Sequence, residues 1–347
     1  NAQFANQYAF SASAGTYTPL VGGTTSGIAA TADTELSAAL PIGFNFVYNS
    51  QTVTTFRASS NGLVSFHATG NTATTNNLAT TTANMRFAVA PLWDDLQCTA
   101  GVTYELTGSA PNRVLTVEFK NMEWTYAANA AVISFQVKLY ETTNVVEYIY
   151  QQEPTAYNAG FSGGASIGIM GTGNTDFISL QDVSASPVTS TTVSKNDIAT
   201  KPATGQIYRF TPPAAPADPP VPTQAASTPN CIQGSELLLA GTPPANTTWY
   251  WQTSATGTST ANAHVAPHYV AGNGTYYVRA YNSVTGSWSN ASSYVVSNFT
   301  YPAAPAAPAA TAPAAPSVPA PAAAKPQSTP APAATTPAKP AAPAPAK

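Results

Sequence analysis

The chain has 347 residues, more than one ordinary domain needs, and only 8% of them are charged, against about 25% in an average soluble domain. A net charge of −3 leaves no basic stripe to neutralise phosphates, which excludes a nucleic-acid footprint. Low charge with abundant Thr, Ser, Asn and Ala describes a surface that repels its neighbours weakly and favours association.

No apolar run reaches the roughly 18 residues that a spanning helix needs. The first residue is Asn1, the expectation for a mature secreted chain whose leader has been removed. Two cysteines, Cys98 and Cys231, are too few for a disulfide framework. They fall in different predicted domains, and two readings stay open: buried unpaired thiols, or one bridge between domains or subunits.

From residue 1 to 210 the pattern is strands and turns, with no helical period. Ile42, Phe44 and Phe46 share one face of a predicted strand. Ser60-Asn61-Gly62 is a tight turn of the kind that needs positive φ. Leu63 to Phe66 resumes a strand, and the polar stretch from Thr69 to Asn84 reads as a long loop. The stretch from Phe87 to Tyr150 organises the rest. In it Leu115, Val117 and Phe119 alternate with Thr116, Glu118 and Lys120, and Ile133, Phe135, Val137 and Leu139 alternate with Ser134, Gln136 and Lys138. This period of two marks half-buried strands. Pro111-Asn112 and Thr142-Thr143-Asn144 are the predicted hairpin turns. Many short strands between Gly, Pro and Asn turns predict an all-β fold, a β-sandwich or jelly roll.

Three segments carry a resemblance. Asn61-Gly62-Leu63-Val64-Ser65-Phe66, Ala90-Pro91-Leu92-Trp93-Asp94-Asp95 and Phe135-Gln136-Val137-Lys138-Leu139-Tyr140-Glu141 resemble the nidogen-type (NIDO-like) extracellular β module. The similarity is to the version in secreted, cell-surface proteins of Bacteroidota, and it spans roughly residues 8 to 210. It implies extracellular structural or adhesive work and no enzyme.

Residues 211–222 are a proline-rich linker, extended and semi-rigid. A second all-β unit is predicted over 223–300. Gly274-Thr275-Tyr276-Tyr277-Val278-Arg279-Ala280 is similar to the F-strand segment of immunoglobulin-like sandwiches. The resemblance puts Tyr276 at the tyrosine corner and Val278 where the bridging cysteine usually stands. Trp249 and Trp251 share one strand face, and Leu237 and Leu239 are expected to face them. Residues 301–347 form a Pro/Ala-rich tail that is expected to sample polyproline II and to serve as a strap between subunits, a spacer or an anchor.

No catalytic constellation stands out, and no cofactor is expected. Asp94 and Asp95 are neighbours in sequence, which on a strand would turn them to opposite sides. Structural hydrogen bonding and a calcium site are the two readings that suit them. His264 and His268 have zinc-like spacing only on a helix, and Pro267 argues against one, so they read as surface histidines. The glycines from Gly168 to Gly173 precede no helix, which excludes a phosphate loop. Tyr126, Tyr157, Phe161, Tyr269 and Tyr301 fall in expected loops or edges, where aromatic residues serve as glycan platforms or interface anchors. The leading expectation is a non-enzymatic secreted structural protein, a self-associating subunit of an extracellular surface fibre or matrix. The alternative is a cell-surface adhesin that binds glycan or a host protein through its loop aromatics.

Overall fold

The computed structural model describes residues 4–158, 163–225, 234–265 and 268–297. The fold is all-β; the helical pieces among the described residues are two single 3-10 turns, Ala5–Gln7 and Ala83–Met85. Two antiparallel sheets make up the larger part. The first runs in the order Ala9–Ala14, Gln206–Thr211, Val146–Gln152, Ile133–Tyr140, Val114–Trp124, Val102–Thr107 and Thr24–Thr25. The second runs Thr189–Ser190, Phe177–Leu180, Ser166–Met170, Ala88–Trp93, Leu63–Ser65, Gln51–Ser59 and Leu40–Tyr48.

The pairing register turns the alternation into a core. Leu115, Val117 and Phe119 stand opposite Leu139, Val137 and Phe135, all fully buried. The Phe119 and Phe135 rings stack with centroids 4.8 Å apart. Each such side chain removed from water stabilises the fold by roughly 1.5–3 kcal/mol. Ile42, Phe44, Phe46 and Tyr48 supply the facing layer from the second sheet. Tyrosines tie the two layers together. The Tyr148 and Tyr150 hydroxyls donate to the carbonyls of Gly168 and Pro91, each at 2.7 Å. Gly168 lies so close to the Ile178 carbonyl that a Cβ would overlap it; this glycine run serves packing.

The strands Val114–Trp124 and Ile133–Tyr140 are buried more fully than period-two alternation predicts. Their outer-face residues Glu118, Ser134 and Gln136 are buried as well, because the chain around Tyr17 to Leu20 crosses over them. The Tyr17 hydroxyl and the Leu20 N–H donate to Glu118 Oε1 at 2.8 and 3.1 Å. Gln136 Nε2 donates to the same oxygen and to the Thr18 carbonyl.

Residues 223–296 hold two three-stranded sheets. One is Thr223–Gln224, Ser235–Leu238 and His268–Val270; the other is Thr247–Gln252, Gly274–Asn282 and Trp288–Val296. Trp249 and Trp251, 4% and 5% exposed, pack with Leu237, Val270 and Val278 in one cluster, and Leu239 lies against it. The Tyr276 hydroxyl donates to the Gly272 carbonyl at 2.9 Å. The proline-rich stretch lies beside the strand Trp288–Val296: Asp218 Oδ1 accepts the Asn290 N–H at 2.8 Å, and the Ser292 hydroxyl donates to the Pro219 carbonyl. The tail, residues 302–347, lies outside the described residues.

Truncating Trp249 to Ala should cost about 3–5 kcal/mol, and Tyr276→Phe, which removes only the hydroxyl, about 0.5–1.5 kcal/mol. Urea unfolding followed by tryptophan fluorescence measures both. Equal losses would show that Trp249 is not a core anchor.

Candidate functional site

The strand Ala88–Trp93 leaves the core at a loop end where several of the candidate residues meet. Trp93 is fully buried, and its indole N–H donates to the Ala73 carbonyl at 2.8 Å, tying down the long polar loop. Asp94 follows, off the strand and buried. Its Oδ1 accepts the Asp95 N–H at 2.8 Å, and its Oδ2 accepts the indole N–H of Trp124 at 2.7 Å. Trp124 ends its own strand, and the short pairing of Leu96 with Trp124 locks the two chain ends side by side. The Tyr126 N–H then donates to the Asp95 carbonyl at 3.2 Å, and Tyr157 packs its ring on Trp124 at 4.5 Å.

Asp94, Asp95, Tyr126 and Tyr157 are thus gathered around Trp124. Tyr126 is 54% exposed, Tyr157 is half-buried, and Asp95 is partly accessible. Burial raises the Asp95 carboxyl above its ordinary range, and the negative charges of Asp33 and Asp94 add to the rise. The hydrogen-bonding role expected of Asp94 is visible in its two donors. Among the described residues no three His, Cys, Asp or Glu side chains converge on a metal-sized site. An exposed aromatic ring can stack on one face of a ligand, and a partly accessible carboxylate can accept hydrogen bonds from hydroxyls or ammonium groups.

The remaining candidates lie elsewhere. Tyr269 is exposed in the strand His268–Val270, opposite Glu236. Phe161, Tyr301 and Cys231 lie outside the described residues. Cys98 is free and buried; burial, with the Glu35 charge as a second cause, pushes its thiol up to about 12. His264 and His268 are not simple surface residues. His268 stacks on Trp251 with centroids 4.1 Å apart and planes 7° from parallel, and His264 Nδ1 accepts the Trp251 indole N–H at 3.2 Å. The tryptophan between them is what spacing alone did not reveal.

Three buried acids escaped sequence reasoning, Glu118, Glu147 and Asp176; Glu147 accepts from the Tyr140 hydroxyl and from Arg209. Glu118 stands mid-strand in a polar alternation and looks like any solvent-facing Glu. Asp176 accepts the Asn6 N–H at 3.0 Å and Asn49 Nδ2 at 2.6 Å, so it fastens the N-terminal 3-10 turn. Burial raises its pKa, and those hydrogen bonds oppose the rise. Gly171 was its signal: a Cβ there would overlap both Asp176 and Asn49.

These two sheets and the loops they carry define an antiparallel β-sandwich that presents side chains at its loop ends. The NIDO-related family matches residues 7–212, more than half of the chain, and the chain belongs to that family. The resemblance carried by the three segments above is therefore a family relation, and it points to an extracellular, adhesion-type module. A comparison with curated proteins gives no match. Among the described residues no helix is long and apolar enough to cross a membrane.

Asp94→Ala strips the buried Trp124 indole of its charged acceptor and should cost about 1.5–3 kcal/mol in urea unfolding, with a shift in tryptophan emission; an unchanged midpoint would remove Asp94 from the structural account. A second expectation concerns pH. Burial lowers the pKa of His264 and His268 below the ordinary 6.5, and for His268 the neighbouring His264 charge adds to this. The unfolded chain therefore takes up protons first as pH falls. The contribution of the pair is complete above pH 6.5 and is lost below it. The urea midpoint should fall between pH 7.5 and pH 5, and His268→Phe, which keeps a stacked ring, should fall less over the same interval.

Proposed function

We propose that this chain is a non-enzymatic extracellular structural protein that works through its surfaces, a self-associating subunit of a surface fibre or matrix. The observation that carries the reading is the use of the buried acids. Among the described residues Asp94, Glu118, Glu147 and Asp176 are the buried carboxylates that a catalytic site could draw on, and each is turned to N–H or O–H donors of its own fold. Few charges for a chain of this length, 8% of residues, and a net charge of −3 mean that encounter between copies meets little repulsion. We read residues 223–296 as a second, Ig-like sandwich that follows the NIDO-related one. Its strand order supports this: strands one, two and four face strands three, five and six, the arrangement of an immunoglobulin sandwich without its D strand. The Tyr276 hydroxyl bond supports it too.

A second reading, an adhesin for glycan or a host protein, is favoured by exposed Tyr126 beside Asp95. Light scattering across a concentration series tests the first reading. Growth in mass with concentration supports it, and a constant single-chain mass removes it. Glycan-array retention that drops at least tenfold on Tyr126→Ala, which leaves the core untouched, supports the second.

A further inference from the structure

A sheet edge carries unpaired N–H and C=O groups, and proteins that stay apart block them with charge, proline, bulges or short strands. Nearly every edge of this fold is blocked. Thr24–Thr25 and Thr189–Ser190 are two residues long. Leu40–Tyr48 contains Pro41 and a register break. Asn144 Oδ1 also accepts its Val47 N–H at 2.8 Å, and Arg113 donates to its Gly43 carbonyl at 2.7 Å. Trp288–Val296 has Asp218 and Pro219 beside it. Thr247–Gln252 is met by Asn262 and His264, which bond to the Trp251 N–H and the Trp249 carbonyl.

Ala9–Ala14 differs. It is six residues long and pairs along its whole length with Gln206–Thr211. It has no charge, proline or glycine, and it lies open to solvent at every second residue or more. Gly15 continues the same register by donating to the Gly205 carbonyl at 2.7 Å. Antiparallel pairing alternates, so Ser13, Ser11 and Ala9 also turn their backbone groups to the neighbouring strand, while Phe10, Ala12 and Ala14 turn theirs outward. The Ser13 carbonyl also accepts Gln206 Nε2, which agrees with that phase. Among the described residues no other segment pairs with the outer side.

We propose that Ala9–Ala14 pairs antiparallel with Ala9–Ala14 of a second copy, joining the first sheets of two copies into one. The strand is complementary to itself. A two-fold axis through Ala12 sets Ala12 against Ala12, Phe10 against Ala14 and Ser11 against Ser13. Opposed residues in an antiparallel pair point to one face, and here they agree. Phe10 and Ala12 lie on the core side, so the apolar layer continues across the axis and the serines meet on the outer face. Each outward-turned residue faces another outward-turned residue, and facing pairs of this phase exchange both backbone hydrogen bonds. The proposal rests on the self-association reading and names its first contact. A symmetric contact of this kind closes at a dimer, so fibre growth requires a second, different surface.

The test is sedimentation of the full chain. Ala12→Pro removes an N–H that only the second copy uses, at an edge position where proline is tolerated. Ser11→Lys with Ser13→Lys sets like charges opposite each other across the axis. The native chain should sediment at twice the 35.6 kDa of one chain, and each variant at half that mass while keeping the native β-sheet circular dichroism and a cooperative unfolding transition. If the native chain stays single, the proposal falls together with the wider reading. If the folded double-lysine variant assembles as the native chain does, the proposal alone falls and another surface makes the contact.

Discussion

Two tyrosine hydroxyls set the spacing on which the larger sandwich depends. A hydroxyl in an apolar core is costly unless it finds an acceptor. Tyr148 and Tyr150 find theirs on the opposite sheet, at Gly168 and Pro91. Burial holds both phenols in the protonated, donating form, with pKa values well above the ordinary one. The bonds fix the separation of the sheets and also their relative slide, because a one-residue shift would present an N–H or a side chain in place of each carbonyl. Pro91 is two residues from Trp93, so the same bond that aligns the layers places the loop end where Asp94, Trp124 and Tyr126 meet.

Charge is scarce in this chain, and much of it works inside the fold. Glu118 holds the crossing segment of Tyr17 to Leu20 onto the first sheet, and Asp176 holds the N-terminal turn onto the second. Arg113 grips Glu141 through two bonds and so pulls that carboxyl down to about 2; its other arm reaches the Gly43 carbonyl on the facing sheet. Arg209 pairs with Glu147 at 2.7 Å across neighbouring strands. What is left outside is polar and weakly charged. A surface of that kind keeps copies apart mainly by blocked edges and irregular loops, which is why one unblocked edge matters.

The strands were legible because their signal is local. Alternation from Val114 to Lys120 falls inside the strand Val114–Trp124, that from Val132 to Tyr140 begins one residue before the strand Ile133–Tyr140, and Gly62 takes the positive φ that the turn required. The shared face of Trp249 and Trp251 was equally readable, since two residues apart on a strand is one face. What sequence could not reveal depends on chain segments far apart. The outer face around Glu118 is covered by residues about a hundred positions earlier, and no periodicity marks that cover. The role of Asp94 needs Trp124, thirty residues on. His264 and His268 were judged on their mutual spacing, whereas the group that organises them is Trp251, on another strand.

Cys98 carries a consequence of a different kind. Its thiol is enclosed, its backbone is held by Ala32 and Thr31 on both sides, and a pKa of about 12 leaves almost no thiolate at neutral pH. Thiolate is the species that reacts with alkylating reagents and disulfides. In the native fold this sulfur is therefore chemically silent, and it becomes reactive only when the surrounding strands part. With Cys231 replaced by serine, the rate at which a thiol reagent reaches Cys98 is a clock for opening of the sandwich.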